Sequence, residues 1–154
     1  MILIYNKNLF LDRYVMINDI NNKLYEMRKL KNGLALEMFF ISKPVAGDRC
    51  QVVFEAQVDI ELTEGYFGDK ALSEIGFRNA RTLLGKKVTF NYQKIRNFIS
   101  NNEKENVFES LRDAFISASL SYLSSSDFPA RVIEKKYNEA RSKTALLEKR
   151  KNIA

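Results

Sequence analysis

The stretch Cys50–Thr63, C-Q-V-V-F-E-A-Q-V-D-I-E-L-T, constrains the fold more than any other part of the chain. Val52, Phe54, Ala56, Val58, Ile60 and Leu62 fall on even positions, and Glu55, Gln57, Asp59, Glu61 and Thr63 on odd ones. Successive side chains of a strand point to opposite faces, so the pattern predicts a half-buried strand with one apolar and one wet face. Burying its five large apolar side chains contributes roughly 8–15 kcal/mol gross, at about 1.5–3 kcal/mol each. The alternation outruns the usual strand of about 3–10 residues, which predicts a bend or bulge.

The flanking segments extend this strand into an antiparallel meander over residues 24–63. Asn32-Gly33 between apolar segments is a strong hairpin signal, because both residues tolerate positive φ. Residues 18–31 also carry a helix-like spacing (Ile20, Leu24, Met27), but a two-residue turn would pair Arg28 with Glu37, Met27 with Met38 and Tyr25 with Phe40, one ion pair and two apolar pairs. Residues 34–43 then read as a strand and Pro44 to Arg49 as a loop. Upstream, Ile2 to Tyr5 reads as a short strand closed by Asn6-Lys7-Asn8, and residues 9–17 as an unassigned apolar run.

Downstream, the helical periods begin. Asp69 can cap a helix to Leu84 with Gly85 as its stop and Gly76 inside it; Lys87 to Tyr92 alternates again as a strand; Gln93 to Ser100 reads as a short helix with Ile95, Phe98 and Ile99 inward. Residues 104–123 repeat Phe108, Leu111, Phe115, Ala118 and Tyr122 at helical spacing, with a second stripe of Ile116, Leu120 and Leu123, so this helix is covered on two sides. After Ser124-Ser125-Ser126-Asp127, with Pro129 in the first turn, a last helix runs to about Arg150. Its stripe of Ile133, Tyr137, Ala140, Thr144 and Leu147 has the 4-3 spacing of helix pairing. The expected fold is a single α+β domain over residues 1–154: an antiparallel β-meander packed against helices, ending in a long helical hairpin over 104–150.

The totals narrow the functions. The 154-residue chain has no run of apolar residues long enough to span a bilayer and no basic leader before an apolar core, and its one cysteine excludes an intramolecular disulfide, which together point to a cytoplasmic protein without a membrane partner. There is no histidine, which removes every Ser-His and Cys-His pair, every His-ligated metal site and the commonest general base. Cys50 shares parity with Val52 and Phe54 and is expected in the core rather than as a nucleophile. Glu55, Asp59, Glu61, Glu64 and Asp69 form an acidic stretch that resembles a Mg²⁺-holding set, but a solvated strand face explains the same residues. Asp48 with Glu55-Ala56-Gln57 departs from an acidic-x-Lys nuclease pattern in spacing and in its Gln. Gly65-Tyr66-Phe67-Gly68 belongs to no phosphate-binding motif. Phe90 and Tyr92 share a face with Val88 and are expected in the core rather than as a base-stacking platform. No cofactor is expected.

Net charge is +6, and the excess is local: residues 131–154 hold eight basic and three acidic side chains. Lys135, Lys136, Arg141, Lys143, Lys149, Arg150 and Lys151, with Leu147, are the candidate interaction residues. Much of this charge suits an ordinary solvated helix, whose C-terminal cations complement its dipole. The seam, however, outruns the short second stripe of helix 104–123, so the part around Thr144 and Leu147 lacks a partner on that helix and is expected to project, to pack on the meander or to pair with a second chain. These features point to a non-enzymatic protein-binding module of the inhibitor, immunity or adaptor type, using the C-terminal helices or the exposed sheet face. The partner is another protein, or a second copy through the last helix; the alternative is DNA or RNA bound by the basic helix 131–151.

Overall fold

The computed structural model describes residues 22–68 and 70–153. The strand and turn expected over residues 2–8, the apolar run 9–17 and the cap at Asp69 lie outside the described residues. Four strands, β1 (Asn22–Lys29), β2 (Ala35–Ala46), β3 (Arg49–Glu61) and β4 (Lys87–Ser100), form one antiparallel sheet in sequence order. The helices are α1 (Lys70–Ser73), α2 (Phe77–Leu84), α3 (Lys104–Leu123) and α4 (Phe128–Ile153), and a 3-10 turn at Glu64–Gly68 precedes them. The architecture is α+β, a meander packed against helices with a long C-terminal helix.

β3 is the stretch singled out by its alternation, and it is hydrogen-bonded to β2 and β4 on both sides. Its even residues from Cys50 to Ile60 are buried. α3 lies across them: the Phe54 ring meets Phe115 at 5.2 Å and Phe108 at 5.7 Å, and Phe108 also meets Phe40 at 4.5 Å. Tyr92 of β4 packs on Phe115 at 4.7 Å. The core of the domain is thus an aromatic layer between sheet and α3, completed by Leu123, Phe128 and Ile133 at the start of α4.

Four expectations need correction. The β1–β2 hairpin has a five-residue loop, 30–34, so Met27 faces Glu37 and Arg28 faces Leu36. A one-residue shift exchanges the faces of a strand, and Met27 is exposed rather than packed on Met38. Tertiary contacts decide this: the longer loop buries Leu30 and carries Asn32 to the α3–α4 corner, where Nδ2 donates to the carbonyls of Leu123 (2.8 Å) and Ser125 (2.9 Å). Gly33, at φ 87°, makes the reversal that a side chain would resist. A bulge at Tyr25 restores part of the expected burial by setting its ring edge-on to Phe108 at 4.8 Å.

Second, β2 continues to Ala46, leaving only Gly47 and Asp48 as a turn where the loop 44–49 was expected. Third, the helix expected over 69–84 is broken: α1 ends at Ser73, and Gly76 at φ 78° opens α2 without a side-chain cap. Gly85 does stop α2, its N–H donating to the Arg81 carbonyl at 2.9 Å. Fourth, the helix expected over 93–100 is the second half of β4, with Ile95 opposite Val53 and Ile99 opposite Cys50. Pairing along β3 satisfies every second backbone group of that segment, and this non-local gain overrides its local helical spacing. The expected irregularity of the long strand lies at this end, as register shifts between Cys50 and Val52 against β4 and between Pro44 and Ala46 on β2.

α4 packs on β4, α1, α2 and the 3-10 turn; its contact with α3 is slight, as at the corner where Tyr122 meets the Phe128 ring edge-on at 5.3 Å. At the far edge of the sheet Arg112 of α3 donates to the Tyr25 hydroxyl at 3.0 Å and lies 3.9 Å from Glu26. Its hydrogen bond to Asp113 raises its pKa, against the opposing effect of burial.

Substitutions at two positions test this arrangement. Asn32→Ala should lower stability in urea denaturation by about 1–2 kcal/mol, and Asn32→Asp by more, because a carboxylate would face two carbonyl oxygens. Phe98 sits in the bulged part of β4 at φ 60°, a conformation costly for a bulky side chain. Phe98→Asn, which tolerates that region, should raise stability by about 0.5–1 kcal/mol in the same assay.

Candidate functional site

The first half of α4 is anchored and the second half is not. Phe128, Pro129, Ala130, Val132 and Ile133 are buried, and Tyr137 packs against the core from its edge. The seam read from the sequence is therefore occupied down to Tyr137, with Ala140 half-buried. From Arg141 to Ile153 every residue is exposed, a helical extension of about 20 Å at 1.5 Å per residue. Three large apolar side chains stand on it in water: Leu146, Leu147 and Ile153, the last 86% exposed. Around them are five basic residues and one acidic residue, Glu148.

The candidate residues fall into three settings. Lys135, Lys136 and Lys143 line a groove of about 1140 Å³ between α4 and β4, with Leu84, Val88 and Leu146 among its apolar walls. Lys135 reaches Glu139 at 4.0 Å, whereas Lys136 and Lys143 have no ion pair among the described residues. Arg141 stands over the Tyr137 ring, 5.9 Å from its centroid, and lines a second cleft with Glu74 and Asn79. Leu147, Lys149, Arg150 and Lys151 lie on the free end, where the last cations complement the helix dipole. Sequence reasoning missed the β4 side of the groove and Leu146. Part of the signal for β4 was present, since Val88, Thr89 and Asn91 lie within the strand read over Lys87 to Tyr92.

The opposite face of the sheet is the other surface in question. Val53 is buried yet stands outside the main core, between its cross-strand neighbours Ile41 and Ile95. The wet-face carboxylates are held locally. Asp59 accepts from Lys87 Nζ at 2.8 Å and Thr89 Oγ1 at 2.7 Å, and Glu55 accepts from the Gln57 amide and, at 3.4 Å, from Gln93 Nε2. Among the described residues no three carboxylates or thiols are grouped to hold a metal ion. Cys50 is buried, its thiol donating to the Ile99 carbonyl at 3.4 Å. No helix among the described residues is long and apolar enough to cross a membrane. No family model, no curated protein and no solved structure matches the chain.

The burial of Cys50 gives a direct test. Its thiol should react with an aromatic disulfide reagent at a negligible rate in native buffer and fully in denaturant, measured by absorbance. Reaction at the rate of a free thiol under native conditions would contradict the placement.

Proposed function

We propose that this protein is a non-enzymatic protein-binding module, of the inhibitor, immunity or adaptor type, that presents α4 to its partner. The observation that supports it is the free end of the helix, residues 141–153, with Leu146 and Leu147 each more than half exposed. An isolated helix of this length is marginal in water, and helices in proteins draw most of their stability from packing an apolar stripe. A partner surface supplies that packing. The mode is an amphipathic helix laid into a groove, with Leu146, Leu147 and Ile153 as anchors and the cations at the rim. The lone buried cysteine suits a reducing compartment, and the cytoplasm is the proposed setting.

The basic excess favours a second reading, nucleic-acid binding by α4 through phosphate contacts. One experiment separates the two: affinity capture from the native host with nuclease present, comparing the unmodified chain with Leu147→Glu/Ile153→Glu. The module predicts a protein captured despite nuclease and lost, by about tenfold or more, from the double variant, whose stability stays within about 0.5 kcal/mol because both sites are exposed. The nucleic-acid reading predicts nuclease-sensitive capture. It also predicts that Lys149→Ala/Arg150→Ala/Lys151→Ala makes the slope of log affinity against log salt shallower by about 2–3.

A further inference from the structure

Three residues of β4, Val88, Thr89 and Asn91, line the groove under α4. Val88 points to the helical side of β4, with Phe90, which meets Phe128 at 5.4 Å. Thr89 points to the other side, where its hydroxyl meets Asp59, and Asn91 shares that side. Val88, Thr89 and Asn91 all border the groove, which therefore runs alongside β4, the last strand in the described sheet. Among the described residues the outer edge of β4 is unpaired: β4 is the last strand of their sheet, and beyond its pairing with β3 the backbone of residues 87–99 has no other backbone partner there. An exposed strand edge is a template for another strand.

We infer that this groove receives an extended, acidic peptide segment of a partner protein, which adds to β4 as a fifth strand beneath α4. The inference rests on the protein-binding function proposed above and gives its partner a chemistry. Main-chain hydrogen bonds to the edge supply affinity, and alternate side chains supply selectivity. The charge of the groove sets the choice. Arg131 and Lys135 already lie near carboxylates, Asp127 just before α4 at 3.7 Å and Glu139 within it at 4.0 Å. Lys136 and Lys143 line the same groove with no ion pair among the described residues, and its acidic lining residues are Glu134 and Glu139, the latter near Lys135. Acidic side chains on an incoming strand meet those two lysines, and short apolar ones cover Leu84, Val88 and Leu146. The α4 residues that line the groove, from Arg131 to Leu146, span about 22 Å of helix. That length matches an extended segment of about six or seven residues at roughly 3.3 Å each.

The test is a random decapeptide library panned against the full chain, with Lys136→Glu/Lys143→Glu as the counter-selection. Circular dichroism on that variant checks that it is folded. Enriched peptides should be acidic and free of proline over a central stretch, since proline cannot donate to a ladder. Amide spectra of the isotope-labelled chain, titrated with the leading peptide, should shift along residues 87–91 and 131–146. N-methylation of alternate peptide amides and the double lysine variant should each weaken binding about tenfold or more. Absence of enrichment, enrichment of basic or proline-rich peptides, shifts confined to α4, or indifference to N-methylation would each overturn strand addition. So would an oligothymidylate that shifts the same amides at lower concentration than any enriched peptide. If the Leu147/Ile153 variant loses its partner while the library yields nothing, the protein-binding function stands and strand addition falls. If the library succeeds while that variant keeps its partner, strand addition stands and the free end of α4 is not the docking element.

Discussion

The rest of the structure depends on the two-sided pairing of β3 beneath α3. β3 is hydrogen-bonded on both edges, and its even face, from Cys50 to Ile60, is sealed. Phe54 is the centre of that seal. Its ring contacts Phe108 and Phe115 of α3 and Tyr92 of β4, so one side chain joins the two central features of the sheet to the helical layer. Aromatic pairs at these spacings add to the area they bury. β2 and β3 are the inner strands, and β1 and β4 stand at the edges of the sheet among the described residues.

That arrangement puts one half of α4 in the core and leaves the other half outside it. The anchored half of α4, with Phe128 and Ile133 in the core, closes the helical layer against β4 and α2. The other half continues past the last residue it can cover. An edge strand and an overrunning helix then border the same groove, and its lysines come from the helix while its backbone groups come from the strand. The groove belongs to neither element alone; their proximity forms it. The wet face of β3, which carries the densest carboxylates of the chain, is occupied by local contacts to Lys87, Thr89 and Gln93.

Much of the fold was legible in the residues. Even-odd parity over 50–63 located β3 and its buried face, because a period of two has one structural meaning. The spacing of Phe108, Leu111 and Phe115 located α3 to the residue, and the 4-3 seam located α4 and its unpartnered end. Where local and non-local signals competed, the sequence misled. Residues 93–100 have helical spacing, yet the unpaired edge of β3 beside them drew them into β4. The Asn32-Gly33 turn suggested a two-residue loop, but burial of Leu30 and the hydrogen bonds of Asn32 to the α3–α4 corner required a longer one. Of the candidate site, the cations and Leu147 were visible as a basic, over-long helix. The β4 edge was not: Lys87 to Tyr92 was read as a strand, but its place at the end of the sheet depends on its neighbours.

The sequence by itself determined which side chains must leave water and on which period, and that is enough to specify a meander, its central strand and two long helices. Only the tertiary structure decided register, edges and neighbours. Burial parity is a local property of a strand, whereas register and strand ends are set by what lies opposite. Lys136, Lys143 and the backbone of residues 87–91 are more than forty positions apart in the chain. They border one groove only because α4, anchored by Phe128 and Ile133, is carried back across the last strand of the sheet.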